Sequence, residues 1–178
     1  MREKWIVETK KGDFNGLSAK LKISPLAVRC LMNRGVESEQ EMREFLYGTL
    51  DDLHDPFLMK GMDEAVREIV KAKEQGRKVA IASDFDCDGI FSAYILWKGF
   101  QKIGLDSEIF TPDRVKEGYG LNRRIVDEAL AGGRDFLVTC DNGIAANEEV
   151  DYAKKLGMTV IVTDHHEVQE QMPNADAI

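Results

Sequence analysis

Three short apolar runs do most to limit what this chain can fold into: "VAIAS" (79–83), "FLVTC" (136–140) and "TVIVT" (159–163). Each has the length of a strand and almost no polar alternation, the pattern of a strand buried on both faces. "SEIF" (107–110) reads as a fourth strand. Helical segments fall between them. One runs from about Gly89 to Ile103. "RRIVDEALA" is capped by Asn122 and stopped by Gly132-Gly133, and "NEEVDYAKKL" ends at Gly157. Strand–helix alternation predicts an α/β fold, a parallel sheet flanked by helices. Acid follows each of the three apolar runs at once: "SDFDCDG", "CDNG" and "TDHH". Parallel strands end on one rim, where ligands bind. Asp84, Asp86, Asp88, Asp141, Asp164, His165 and His166 are therefore expected to converge there.

Upstream the pattern is helical. "SPLAVRCLMNRG" has Ser24 as N-cap, Pro25 in the first turn and Gly35 as the stop. In "SEQEMREFLYG", Ser38 and Glu41 are spaced as a capping box, with Gly48 as terminator. "LDDLHDPFLMKGM" reads as a loop with apolar anchors. Asp63 then caps "EAVREIVKAKEQ", whose Ala65, Ile69 and Ala72 share a face before Gly76. The expected division is a small helical N-terminal region, 1–62, and a sheet domain, 63–178.

Hydrophobic residues make up 43% of the 178, enough for a real core and against general disorder. The charged opening "MREKWIVETKKG" lacks the apolar run of a secretion signal, and no stretch approaches the ~18 apolar residues of a membrane span. Cys30, Cys87 and Cys140 are an odd count without zinc spacing and read as reduced thiols of a cytoplasmic protein. Cys87 and Cys140, beside the acids, read as small core fillers. A net charge of −8 argues against polyanion binding by the whole surface, but permits a local basic groove or an acidic pocket filled by cations.

Carboxylates and imidazoles on one rim suit manganese or magnesium better than structural zinc. Several carboxylates can hold two such ions ~3.5–4 Å apart, an arrangement suited to in-line attack on a phosphate ester. Single residues have blander readings. Asp88 could cap the helix near Gly89, and Asp141 could form a turn with Asn142-Gly143. The His pair could cap a turn, or divide between metal and phosphate. "DFDCDG" also opens like a calcium-binding EF-hand loop, but Ile95 stands where its terminal Glu belongs. "DCDG" resembles the start of an aspartate-nucleophile phosphatase, for which "TDHH" is a poor acidic pair. Arg114, Lys116, Arg123 and Arg124 form a local basic cluster near the predicted rim, suited to phosphate contacts, and Tyr119 could stack on a base. The same loop reads equally as a solvated crossover.

With these residues together, the chain resembles the DHH phosphoesterase superfamily, and more narrowly its RecJ branch of bacterial single-strand-specific DNA exonucleases. "SDFDCDGIFSAYIL", "CDNGI" and "VTDHH" are similar to that family's acidic and namesake motifs. "LMNRGVESEQEMREFL", "LDDLHDPFLMKGMDEAV" and "RVKEGYGLN" agree more weakly. The resemblance implies two divalent cations, manganese or magnesium. Asp86 and Asp88 would bind them, Asp84 would support or ligate, Asp141 would bridge, and His165 would be a ligand. His166 would contact the scissile phosphate, and Arg114 with Gly118, Tyr119 and Gly120 would line the DNA path. Ser83 stands where the family usually has Gly, and Phe91 replaces a small polar residue. Neither change removes a ligand.

The implied activity is 5′-to-3′ hydrolysis of single-stranded DNA in recombination and repair, with single-strand-binding protein and a helicase as partners and no membrane. The family carries a further metal-binding Asp and further domains beyond its namesake motif, whereas this sequence ends twelve residues after His166. The expectation is thus an N-terminal fragment with an incomplete DHH domain, weak metal sites and little activity. Competing readings are a DHH phosphodiesterase acting on short oligonucleotides or cyclic dinucleotides, and a non-catalytic binding module. The retained acids argue against the last.

Overall fold

Side chains along a strand point alternately to opposite faces, so an apolar strand feeds two cores at once. That is how the strands here are used. The computed structural model describes residues 5–6 and 10–178, so part of the charged opening segment lies outside the described residues. Four strands, β1 (Val79–Ser83), β2 (Ser107–Phe110), β3 (Phe136–Cys140) and β4 (Thr159–Thr163), form one parallel sheet in the order β2-β1-β3-β4. Every residue of β1 and β3 is buried. Ala80, Ala82, Leu137, Val160 and Val162 face one core, with Ile125, Val126 and Ala129 of α6 (Arg123–Ala131) and Val150 and Ala153 of α7 (Asn147–Lys155). Val79, Ile81, Phe136, Val138 and Ile161 face the other. There they meet Ala72 of α4 (Met62–Glu74) and Ala93 and Phe100 of α5 (Cys87–Lys102). Full burial of a side chain such as Ile81 contributes about 1.5–3 kcal/mol. At the far edge, Asp176 and Ala177 run beside β4: Val162 N–H donates to the Ala177 carbonyl and Asp176 N–H to that of Val160.

The chain divides into two compact units, Met1–Asp55 and Pro56–Ile178. The first is helical: α1 (Phe14–Leu21), α2 (Pro25–Asn33) and α3 (Glu39–Tyr47) enclose Leu21, Val28, Leu31, Met32 and Met42. Ser24 caps α2 through Ala27 N–H. The Ser38–Glu41 box closes in both directions at the start of α3. The helix α1, which the sequence reading passed over, is capped by Asp13.

Three expectations are corrected. α4 starts at Met62 after Gly61, so Asp63 lies in its first turn rather than at its cap. α5 starts at Cys87, and its cap is Asp86, not Asp88. Leu50, Leu53 and Leu58 of the 50–62 stretch are exposed rather than acting as apolar anchors. Two 3-10 turns organise that stretch instead.

Candidate metal centre

Register explains the convergence of acids. Ser83 pairs with Cys140, and Cys140 pairs with Thr163, so β1, β3 and β4 end level with one another. The next residue of each, Asp84, Asp141 and Asp164, stands on the shared rim. The rim crosses the point where the chain turns from β1 toward β2 on one side and β3 on the other, the usual crevice of an open α/β sheet.

The β1–α5 turn places two of the acids. Asp84 is buried, and its Oδ1 accepts the Gly120 N–H at 3.3 Å. Asp86 is extended and caps α5 by accepting the Gly89 N–H at 3.0 Å. That N–H holds the Asp86 carboxyl below the usual range. Gly89 packs so closely that a Cβ would lie 2.5 Å from the Asp84 carbonyl oxygen, which explains the glycine closing "DFDCDG".

Asp141 adopts φ +62°, an uncommon backbone for a residue with a side chain, and such outliers gather at functional sites. Its N–H donates to the Thr163 carbonyl, its carbonyl accepts the Tyr119 hydroxyl at 2.7 Å, and its Oδ1 lies 2.8 Å from His165 Nε2. Burial, together with the facing Asp86, pushes the Asp141 carboxyl up. Oxygens of Asp84, Asp86 and Asp141 lie within 4.8 Å of one another, and Asp141, His165 and His166 form a second such group. Asp141 belongs to both. Among the described residues, neither Lys nor Arg forms an ion pair with these three acids. Unscreened carboxylates beside imidazoles fit a divalent cation of the manganese or magnesium kind.

Asp164 has a different task. Its buried Oδ1 accepts the backbone N–H groups of His165 and His166 and lies 2.7 Å from His166 Nδ1, while Oδ2 accepts the Ile144 N–H at 3.0 Å. Burial would raise this carboxyl, but the donors outweigh it and the net shift is downward. In turn Asp164 raises the His166 imidazole above its ordinary range. The Tyr119 oxygen lies 3.1 Å from the same Nδ1, and its ring meets His166 edge-on.

The remaining sequence candidates divide. Asp88 is exposed in the first turn of α5 and joins neither acid group among the described residues. It lines a cavity of about 770 Å³ with Asp141, His165 and His166. Gly118 and Gly120 both have φ near +80°, as the tight "EGYG" turn requires. Most of the expected basic cluster is taken up by other partners. Arg124 is bound by Glu117, Glu128 and the Thr111 carbonyl, Arg123 lies over the Tyr152 ring, and Lys116 faces Asp113. Arg114 lies 4.9 Å above the ring of Phe85, the residue between Asp84 and Asp86. Cys140 is a core filler whose thiol burial pushes up to about 11, but Cys87 is exposed and fills nothing.

Sequence reasoning missed Asn142 and the anchoring role of Asp164. Asn142 is fully buried. Its amide donates to the Ala82 and Cys140 carbonyls and accepts the Leu121 N–H, joining β1, β3 and the Tyr119 loop. The available signal was a second polar residue directly behind a buried strand.

Residues 78–178 match the DHH family, N-terminal domain. Over 176 residues the chain is 38% identical to the single-stranded-DNA-specific exonuclease RecJ of Bacillus subtilis (strain 168), covering 98% of this chain and 22% of the relative. It is 35% identical over 157 residues to the RecJ of Escherichia coli (strain K12), covering 88% and 26%. A crystal structure of exonuclease RecJ bound to manganese superposes with a TM-score of 0.61 at 35% identity, covering 66% of this chain and 30% of that one. RecJ from Thermus thermophilus in complex with Mn2+ gives 0.65 at 28% identity, covering 91% and 22%. The chain spans about a quarter of the length of these curated relatives.

Proposed function

The chain belongs to the DHH family, and from that premise we propose that its acid rim is part of a divalent-cation site for hydrolysing phosphodiester bonds of single-stranded DNA. The observation that carries the reading is the meeting of Asp84, Asp86 and Asp141, paired with no Lys or Arg of the described residues, next to the His165–His166 pair. Its likeness to RecJ exonucleases, two of them solved with manganese, supports the choice of substrate and metal. Digestion from the 5′ end, a place in recombination and repair, cytoplasmic location, and a single-strand-binding protein and helicase as partners belong to the same proposal and rest on that likeness.

Asp84, Asp86, Asp141 and His165 would hold the cations, with Asp88 completing the set from the first turn of α5. Bound there, such ions lower the pKa of a coordinated water and offset charge on the leaving oxygen. The chain's own residues do the positioning. Asp141 fixes His165 through Nε2, and Asp164 occupies Nδ1 of His166. Nε2 is then the His166 nitrogen available to a phosphate oxygen, and the raised imidazole keeps its donor proton to higher pH than an ordinary histidine. Arg114, stacked on Phe85, offers a guanidinium to the DNA backbone without reading sequence. Asp86, Asp88 and His165 are exposed, so the 178-residue chain by itself is proposed to bind cations weakly and turn over little DNA.

Manganese titration by calorimetry tests the site. Wild type should bind, and Asp86→Ala or Asp141→Ala should weaken binding by about tenfold or more, the range seen when a supporting group of a metal site is lost. Unchanged affinity in both variants would sink the shared-site reading. Rapid metal-dependent degradation of single-stranded DNA by the purified chain would sink only its proposed weakness.

A further inference from the structure

His166 lines two cavities. One is the cavity lined by Asp88, Asp141 and His165. The other, of about 520 Å³, lies between the Tyr119 loop, the start of α7 and the chain beyond β4. We propose that this second cavity is a nucleoside subsite, receiving the base and sugar attached to the phosphate that His166 contacts. The assignment deepens the phosphodiesterase reading and rests on it for the identity of that phosphate.

Volume, wall chemistry and charge point the same way. Small-molecule sites usually enclose roughly 300–1,000 Å³, and a nucleoside fits within that range. Leu121, Ile144, Ala145 and Ala146 supply apolar wall, and Tyr119 brings a half-exposed ring. Flat apolar and aromatic surfaces of this kind pack against base faces whatever the sequence. Glu149, in the first turn of α7, brings a carboxylate that can accept the amino or imino N–H groups of a base.

Charge decides which part of a nucleotide enters. The lining contains the acids Glu149, Asp164 and Glu167 and no Lys or Arg. A phosphate would be repelled there, whereas the uncharged base and sugar would not. The phosphate is left at His166, where the two cavities meet. Gly120 and Gly143 bring bare backbone to its wall, with φ of +79° and +113°.

The test follows methyl resonances of Leu121, Ala145 and Ala146, which line this cavity and not the other, in the 178-residue chain during titration with deoxyguanosine, without metal or phosphate. Saturable shifts of these methyls are expected. Inorganic phosphate with magnesium should instead move the His166 ring signals and leave the methyls in place. Ala145→Trp, at an exposed position, should fill the cavity and weaken deoxyguanosine by about tenfold or more, the effect of losing a packed contact at a binding site. Its magnesium affinity should match wild type. The subsite is overturned if deoxyguanosine leaves the methyls unmoved, or if Ala145→Trp binds it as well as wild type. Methyl shifts with deoxyguanosine in a chain that fails to bind magnesium would uphold the subsite and overturn the metal reading instead.

Discussion

A Cβ at position 89 would sit 2.5 Å from the carbonyl oxygen of Asp84 and 2.7 Å from its carbonyl carbon. Both neighbours are backbone, so neither can swing aside. Gly89→Ala must therefore push the start of α5 away from the end of β1, and Asp86, which caps α5 through the Gly89 N–H, moves with it. Overpacking of this kind costs about 1–3 kcal/mol. The expected result is a lower thermal midpoint together with weaker manganese binding, although no ligand has been removed. A variant that melts like wild type and binds manganese equally well would contradict this account. The acids were legible residue by residue because each follows an apolar run, which fixes its place on the rim. Asn142 was not legible in the same way. "CDNG" suits an ordinary turn, and only the packed sheet reveals an amide holding Ala82, Cys140 and Leu121 together.

At the scale of elements, the loop from 111 to 121 shows how local charge shapes a site. Glu117 accepts the Asp113 N–H at 2.7 Å and takes the Arg124 guanidinium of α6, which ties the loop to that helix and sets up the Gly118-Tyr119-Gly120 turn. The Arg124 guanidinium, with the Asp113 N–H, lowers the Glu117 carboxyl from 4.5 to about 2. A folded-state pKa below the unfolded one means stability that is fully present above pH 4.5 and lost as pH falls toward 2. Wild type should therefore exceed Glu117→Gln in thermal midpoint by a constant margin from pH 7 to about 5, and the margin should shrink below that. A margin that persists unchanged at the acid end would show that the pair does not carry the loop. From sequence, Arg123 and Arg124 looked like free cations for phosphate. Glu128 sits one turn along the same helix, a pairing that helical spacing already offers, whereas only the fold brings Glu117 of the preceding loop to the guanidinium. Strands and most helices were readable because periodicity and caps are local. The start of α5 was displaced by two residues because Asp86 and Asp88 both suit a cap, and it is the Asp86 side chain that takes the Gly89 N–H.

For the whole chain, the formal charge of −8 and the gathering of acids at one rim have a common consequence. Mutual repulsion of Asp84, Asp86 and Asp141 opposes closure of the sheet unit, and a divalent cation that binds only the folded form relieves it. At a hundredfold excess over its dissociation constant, such an ion stabilises the fold by about 2.7 kcal/mol. For a unit of this size that corresponds to a rise of roughly 8–15 °C in melting midpoint. The two tryptophans allow the effect to be assigned. Trp5 is exposed and lies in the helical unit, whereas Trp97 packs against the sheet core beneath Lys98. In a Trp5→Phe chain, Trp97 emission reports the sheet unit alone. Magnesium should raise its midpoint and a chelator should reverse the rise. Asp86→Ala, which also loses the cap of α5, should gain little from magnesium. An equal magnesium-induced rise in Asp86→Ala would show that the ion stabilises the unit from somewhere other than the rim.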